Sequence, residues 1–217
     1  MFLAALILRF AAPRRAAPAS DPDARAAHDA ARAEEAALLD ALRAGDRDAA
    51  NVLVERTYRV VYRSLVRLTG GDADLAADLT QETYRKAWDA LDGFGGRAGF
   101  ATWLVRIAYT TFLNHRRRAV RRLPLDPAVA DALVDPALEA DPERRAAAGE
   151  AQRRLRRAVL DLPEPMRFAV TAYFWAEQST PAIAREEGVS GAAIRKRIKT
   201  ALARLRAHLD ETAGDPS

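Results

Sequence analysis

The sequence predicts an all-α protein of two small helical domains joined by a flexible linker, and three observations carry that prediction. Apolar residues recur at spacings of three and four from Glu34 to about Val120, and again from Glu150 to about Leu209, with no strand-like alternation in either block. Composition agrees: 11 glycines in 217 residues, abundant alanine, and heavy use of Leu, Arg and Glu. Between the two blocks, Leu123–Ala148 holds four prolines and no large aromatic residue, which is the composition of a linker. The expected organisation is therefore an extension over 1–33, a first domain over 34–122, a linker over 123–149, a second domain over 150–209 and a polar tail over 210–217.

The elements follow in chain order. Phe2–Leu8 is apolar but far short of the roughly 20 residues a spanning helix needs, and its arginines follow rather than precede it, so neither a membrane span nor a secretory signal is expected. Residues 1–33 read as a disordered extension, and the expected location is cytoplasmic. The first helix carries Ala37, Leu38, Ala41 and Leu42 on one stripe and stops at Gly45. A second runs over Ala49–Thr69, with Ala50, Leu53, Val54, Thr57, Val61, Leu65 and Leu68 at spacings of three and four, and Gly70–Gly71 end it. Asp72 is placed to cap a third helix that buries Leu75, Leu79, Tyr84, Trp88 and Leu91. The loop Asp92–Gly99 is glycine-rich and carries Phe94. The helix that follows, from Phe100, offers Phe100, Trp103, Leu104, Ile107, Ala108 and Leu113 to a core.

In the second block, Ser179-Thr180-Pro181-Ala182-Ile183-Ala184-Arg185-Glu186-Glu187-Gly188-Val189-Ser190 has the layout of a helix-turn-helix. Ser179 or Thr180 can cap, Pro181 suits a first turn that needs no N–H, and Gly188 supplies a left-handed turn residue. Ser190 caps the next helix, whose stripe Ile194, Ile198, Ala201, Leu202 and Leu205 turns inward. Ala192, Arg195, Lys196 and Lys199 are left on or beside the opposite face, which is free to enter a major groove.

Charge narrows the function classes further. There are 34 Lys+Arg against 30 Asp+Glu, a difference of +4, yet the two signs are segregated along the chain. Arg106–Arg122 holds six arginines and no acid, and Gly191–Leu209 holds Arg195, Lys196, Arg197, Lys199, Arg204 and Arg206, again with no acid. Two acid-free basic helices are an electrostatic footprint of phosphate binding. The chain has no cysteine and three scattered histidines, which excludes disulfides, thiolate metal sites and a cysteine nucleophile and leaves no histidine cluster for a metal. No carboxylate pair, nucleophile–base couple or phosphate loop stands out, so no enzyme, cofactor or metal is expected.

Asp78-Leu79-Thr80-Gln81-Glu82-Thr83-Tyr84-Arg85-Lys86-Ala87-Trp88 resembles the most characteristic stretch of bacterial RNA polymerase sigma factors, within the extracytoplasmic-function (ECF) group of the sigma-70 family. The resemblance continues through Phe94 and Phe100-Ala101-Thr102-Trp103-Leu104-Val105-Arg106-Ile107-Ala108, then from Leu162-Pro163 through the helix-turn-helix to Leu205. It implies a region 2 bundle followed by a region 4 helix-turn-helix, and assigns roles residue by residue. Asp78, Gln81, Glu82 and Arg85 would dock on the clamp helices of the polymerase β′ subunit, and the second domain on the β flap. Phe94, Arg106, Thr110, Asn114, Arg117 and Arg118 would serve the minus-ten element, its loop helping to capture a flipped base. Ser190, Ala192, Arg195, Lys196, Arg197 and Lys199 would serve the minus-thirty-five element. The partners implied are core polymerase, promoter DNA and an anti-sigma factor.

Three positions depart from the family pattern. Thr110 stands where Asn is common, Asn114 where Asp is common, and Ala182 where Glu usually precedes the Ile-Ala pair. Two promoter elements 16–18 base pairs apart span roughly 55–60 Å at about 3.4 Å per step. A 25–30-residue linker reaches that at about 3.3 Å per residue. A stand-alone helix-turn-helix regulator that binds duplex without polymerase is the alternative, as is a sigma-like adaptor that binds polymerase without starting transcription.

Overall fold

The structure is a computed structural model that describes residues 22–122 and 142–213; the calls on 1–21, 123–141 and 214–217 lie outside the described residues. Four helices form the first domain: α1 Pro22–Arg43, α2 Arg47–Thr69, α3 Ala73–Asp89 and α4 Phe100–Arg122, with a short 3-10 turn at Leu91–Gly93. The second domain contains α5 Pro142–Asp161, α6 Glu164–Val170, a π-helical turn at Thr171–Trp175, α7 Thr180–Glu187 and α8 Gly191–Ala213. No strand occurs among the described residues, in agreement with the all-α expectation.

Helix ends fall where the local chemistry puts them. Asp46 accepts from the backbone N–H of Asp48 and Ala49 to cap α2, and Asp72 accepts from Leu75 N at 2.9 Å to cap α3. Gly70 closes α2 at φ 78°, a left-handed conformation that glycine adopts without strain. Its missing side chain has a second use: a methyl there would lie 2.1 Å from Arg156 Nη1 of the second domain.

Three boundaries differ from expectation. α1 begins at Pro22, so residues 22–33 extend the first helix instead of belonging to a disordered extension. Side chains on α1 bind the far end of the domain: Arg32 donates to Gly96 O at 2.9 Å, and Glu35 accepts from Phe100 N at 2.9 Å. α5 begins at Pro142, inside the stretch assigned to the linker, and α8 continues to Ala213 past the expected end near Leu209. Alanine-rich composition sustains helix at the starts of α1 and α5, where apolar periodicity is absent.

The first core lies between α2, α3 and α4. Leu53, Val61, Leu65 and Leu68 of α2 meet Ala76, Leu79 and Ala87 of α3 and Phe100, Leu104 and Ala108 of α4, all nearly or completely buried. Buried hydroxyls in it close onto carbonyls of their own helix: Thr57 onto Leu53 O at 2.6 Å, Thr80 onto Ala76 O at 2.7 Å, Thr83 onto Leu79 O at 2.6 Å. Thr57 Oγ1 and the Tyr84 hydroxyl also join α2 to α3 at 2.8 Å. The second core sets Phe168, Val170 and Trp175 against Ile183, Ile194, Ile198, Ala201 and Leu205.

The inward face of α4 is wider than its stripe suggests. Val105, Tyr109 and Phe112 are buried alongside the expected residues, while Trp103, Ile107 and Leu113 are only partly covered. The physical reason is a second neighbour: Phe168 of α6 packs on Tyr109 with ring centroids 5.3 Å apart. The two domains are thus in direct contact, and α4 is covered from both sides.

Candidate functional site

Three surfaces carry the residues singled out by sequence. On α3, Asp78, Gln81 and Arg85 form the most exposed strip, as helical spacing requires. Glu82 sits on the flank toward α4 and is gripped there. The Arg85 guanidinium forks onto it at 2.7 and 2.8 Å, with a further bond to Asp89 at 2.9 Å. Lys86 lies 3.3 Å from Glu82 and donates to Thr111 Oγ1 at 3.2 Å. These bonds, led by the Arg85 fork, hold the Glu82 carboxyl down at about 2. Asp78 and Gln81 have no side-chain partner among the described residues, so α3 offers two free polar groups and one ordered arginine to a partner.

The loop after α3 differs from its sequence reading. Phe94 is 6% exposed; its ring lies 4.9 Å from Trp103 and 5.7 Å from Phe100. Arg43 donates to Phe94 O at 3.1 Å, which ties the loop to α1. The Phe94 side chain is therefore an anchor in an aromatic cluster and is not presented to a base; the loop's exposed residues are Asp92, Gly93, Gly95, Gly96 and Arg97.

Along α4, Arg106, Thr110, Asn114 and Arg117 share one strip by their spacing of four, four and three, with Arg118 beside it. Thr110, Asn114, Arg117 and Arg118 are exposed. The Thr110 hydroxyl bonds to carbonyls of its own helix, Ile107 O at 2.9 Å and Arg106 O at 3.2 Å. Arg106 departs from the rest of the strip. Its Nη1 meets Glu164 Oε1 and Glu187 Oε1, both at 3.1 Å, and its guanidinium carbon lies 4.3 Å over the Phe168 ring. An arginine assigned to DNA by sequence is, in this conformation, held by the second domain.

In the second domain the helix-turn-helix forms as its sequence signals require. Ser179 Oγ accepts from Ala182 N at 3.3 Å, Gly188 takes φ 66° to end α7, and Ser190 Oγ accepts from Ala193 N at 3.1 Å to start α8. Ser190, Ala192, Arg195, Lys196 and Lys199 are exposed, and no carboxylate among the described residues pairs with the three cations. Arg197 is turned inward instead and donates to Glu187 Oε2 at 3.0 Å, bracing α8 against α7. The outward strip of α8 is thus Ala192, Arg195, Lys196 and Lys199, preceded by the Ser190 cap.

Several residues that matter here have no sequence signal. Glu187 is central, because one carboxylate holds Arg106 through Oε1 and Arg197 through Oε2. Its position in Glu186-Glu187-Gly188 marks a helix end but says nothing of a partner in the other domain. Arg67, half-buried and kept below its usual basicity by burial, donates to Trp175 O at 2.8 Å and Phe174 O at 3.2 Å. Those carbonyls belong to the π-helical turn, so a side chain of the first domain satisfies backbone acceptors of the second. Among the described residues no group of His, Cys, Asp and Glu is arranged to hold a metal ion, and no helix is long and apolar enough to cross a membrane.

The chain is similar to known proteins. Residues 53–122 match the family described as Sigma-70 region 2. The ECF RNA polymerase sigma-E factor of Haemophilus influenzae is 30% identical over 145 residues, spanning 62% of this chain and 74% of that protein. Among solved structures, CnrH in complex with the cytosolic domain of CnrY superposes with a TM-score of 0.53 at 24% identity, over 83% of this chain and 97% of the matched one. The sigma factor RpoE in complex with the anti-sigma factor NepR, from Bartonella quintana, superposes with a TM-score of 0.50 at 20% identity, over 74% and 96%. At those identities the two structures speak for the all-helical fold.

Proposed function

Because the chain belongs to the ECF group of sigma-70-family RNA polymerase sigma factors and so acts in transcription initiation, we propose a division of labour between its three surfaces. The exposed strip of α3, with Asp78 and Gln81 free and Arg85 ordered by Glu82, docks on the β′ clamp helices, and the second domain reaches the β flap. The α4 strip of Thr110, Asn114, Arg117 and Arg118, joined by Arg106, engages and helps to melt the minus-ten element. The α8 strip enters the minus-thirty-five major groove, Ala192 and Arg195 toward base edges and Lys196 and Lys199 toward phosphates. Nucleotidyl transfer remains the polymerase's own, so the chain supplies position and sequence choice without a catalytic group. It works in the cytoplasm, where its template and polymerase are.

The observation that carries this reading is the α8 strip: three cations without an acidic partner among the described residues, on a recognition helix whose cap, turn and inward stripe are all satisfied internally. Cations left in that state contribute little to folding and are suited to phosphates. A protein inhibitor of the anti-sigma class fits the same reading.

Promoter-dependent run-off transcription with purified core polymerase tests it. The reading expects transcripts only when chain and core are both present, and loss of co-purification with core in the Gln81→Ala, Glu82→Ala double variant. A shift of duplex promoter by the chain alone, as strong as with core, would favour the stand-alone regulator. Core binding with no transcript from any promoter would favour the adaptor.

A further inference from the structure

The side of α1 that meets the loop after α3 belongs to none of the three surfaces. Arg32, Glu35, Leu39 and Arg43 follow one another at spacings of three, four and four, so they share one face of the helix. Leu39, 4% exposed, pegs that face into the core. The other three bind main-chain groups at 94–100. Arg32 donates to Gly96 O at 2.9 Å, Arg43 donates to Phe94 O at 3.1 Å, and Glu35 accepts from Phe100 N at 2.9 Å. Asp40 accepts from the other arm of Arg43 at 3.0 Å and so aims it.

These bonds mask two acceptors of the loop and leave three consecutive donors. α4 begins after Gly99, which has no side chain to cap it, and the Glu35 carboxylate takes its first N–H from across the domain. The two arginines occupy carbonyls. The N–H groups of Gly95, Gly96 and Arg97 make no hydrogen bond among the described residues, and all three residues are exposed. A Cβ on Gly95 or Gly96 would meet nothing within 4 Å, so the main chain there is open to close approach. Leu91, Phe94, Ala98 and Phe100 are buried on either side of these donors. The loop is thus a ledge pinned from below by apolar side chains and from one flank by α1.

We propose that Arg32 and Arg43 are positioning residues for promoter opening: they hold the donors at 95–97 in place to receive acceptor atoms of the unpaired non-template strand. The proposal rests on the sigma-factor reading, which gives this loop to the minus-ten element. Neither arginine touches DNA in it. A loop freed from α1 would have to be ordered each time a strand binds, and that cost is subtracted from affinity. Glu35 serves the same end by fixing where α4 starts. The acceptors are phosphate oxygens or base edges, and the two have separate tests.

The probe is fork-junction DNA from a promoter selected with reconstituted holoenzyme, single-stranded over the non-template minus-ten element. That strand is scanned with an abasic residue, which removes a base, and with a methylphosphonate, which removes a phosphate charge. At the step that meets the loop, one of the two should weaken binding of wild-type holoenzyme roughly tenfold. In the Arg32→Ala, Arg43→Ala variant the intact fork should bind roughly tenfold more weakly, and the same modification should then cost less than about twofold. Whichever modification loses its penalty identifies a base edge or a phosphate as the acceptor. A general loss of structure would lower affinity and leave the penalty unchanged. Glu34→Gln, on the same helix but paired with Arg56 of α2, should match the wild type.

Circular dichroism melting identifies a variant that has merely unfolded, and Arg32→Ala, whose bond lies at the surface, then decides alone. Equal penalties in wild type and variant at every scanned position would overturn the proposal, as would a wild type that responds to neither modification anywhere. Failure of the wild-type chain to bind core polymerase or the fork would sink the sigma-factor reading and this proposal with it. Equal penalties in a chain that binds both would sink the proposal alone.

Discussion

α4 and α8 each contain a stretch with six basic residues and no acid, and each ends a domain. α8 behaves as a helix with one inside and one outside: Ile194, Ile198, Ala201 and Leu205 face its own core, and Arg195, Lys196 and Lys199 face solvent. α4 has two insides. Leu104, Val105 and Ala108 pack in the first domain, and Tyr109 and Arg106 are claimed by Phe168, Glu164 and Glu187 of the second. Equal runs of positive charge therefore have unequal availability. What decides it is whether a carboxylate distant in sequence can reach the guanidinium, as Glu187 reaches Arg197 on α8.

This difference can be broken experimentally, most sharply on α8. Arg195→Ala with Lys196→Ala should weaken binding of holoenzyme to the upstream element by about 1–3 kcal/mol if the arginine reads a base, and lower the salt slope by about one for the lysine's phosphate. Anisotropy titrations across salt concentrations measure both, and an unchanged slope would place Lys196 off the DNA. Arg197→Ala should act on folding instead. It strips one bond from the largely buried Glu187 carboxylate, costing about 1–2 kcal/mol in denaturant unfolding, with upstream affinity changed less than in the pair above.

Tyr109→Phe probes the covered side of α4. The Tyr109 hydroxyl is buried without a hydrogen-bond partner among the described residues, and burial pushes its pKa up to about 12. Removing the oxygen should leave stability unchanged or raise it by up to about 1 kcal/mol. A marked fall in Tm would mean that the hydroxyl has a partner. Smallest is an acid effect on α3. Glu82 is held at about 2 against an ordinary 4.5, chiefly by the Arg85 fork. A carboxyl depressed by folding stabilises fully above its unfolded value and loses that contribution as pH falls from about 4.5 toward 2. NMR titration of the Glu82 side chain in wild type and in Arg85→Ala checks this, the variant moving the midpoint back toward 4.5.

The comparison also marks what could be read from residues alone. Caps and turns were legible, because Asp72, Ser179, Gly188 and Ser190 act on backbone groups within a few positions of themselves. The inward stripes of α2 and α8 were legible for the same local reason. Residues with two neighbours were not. Tyr109 breaks the periodicity of α4 because a second domain covers it, and Phe94 is buried because Trp103 and Phe100, one helix later, close over it. Arg106 and Arg197 look like their neighbours in a charge run and differ through Glu187, joined at Arg106 by Glu164 and the Phe168 ring. The start of α1 at Pro22 escaped because alanine-rich sequence forms helix without an apolar stripe to announce it.

The most direct test of the account is a hydroxyl-radical footprint of promoter DNA selected with reconstituted holoenzyme, repeated with the chain alone. The account predicts two protected blocks separated by 16–18 base pairs, roughly 55–60 Å, present only with core polymerase. The upstream block should be lost in Arg195→Ala, Lys196→Ala and the downstream block weakened in Arg117→Ala, Arg118→Ala. A single protected block on duplex DNA with the chain alone, unaffected by adding core polymerase, would contradict it.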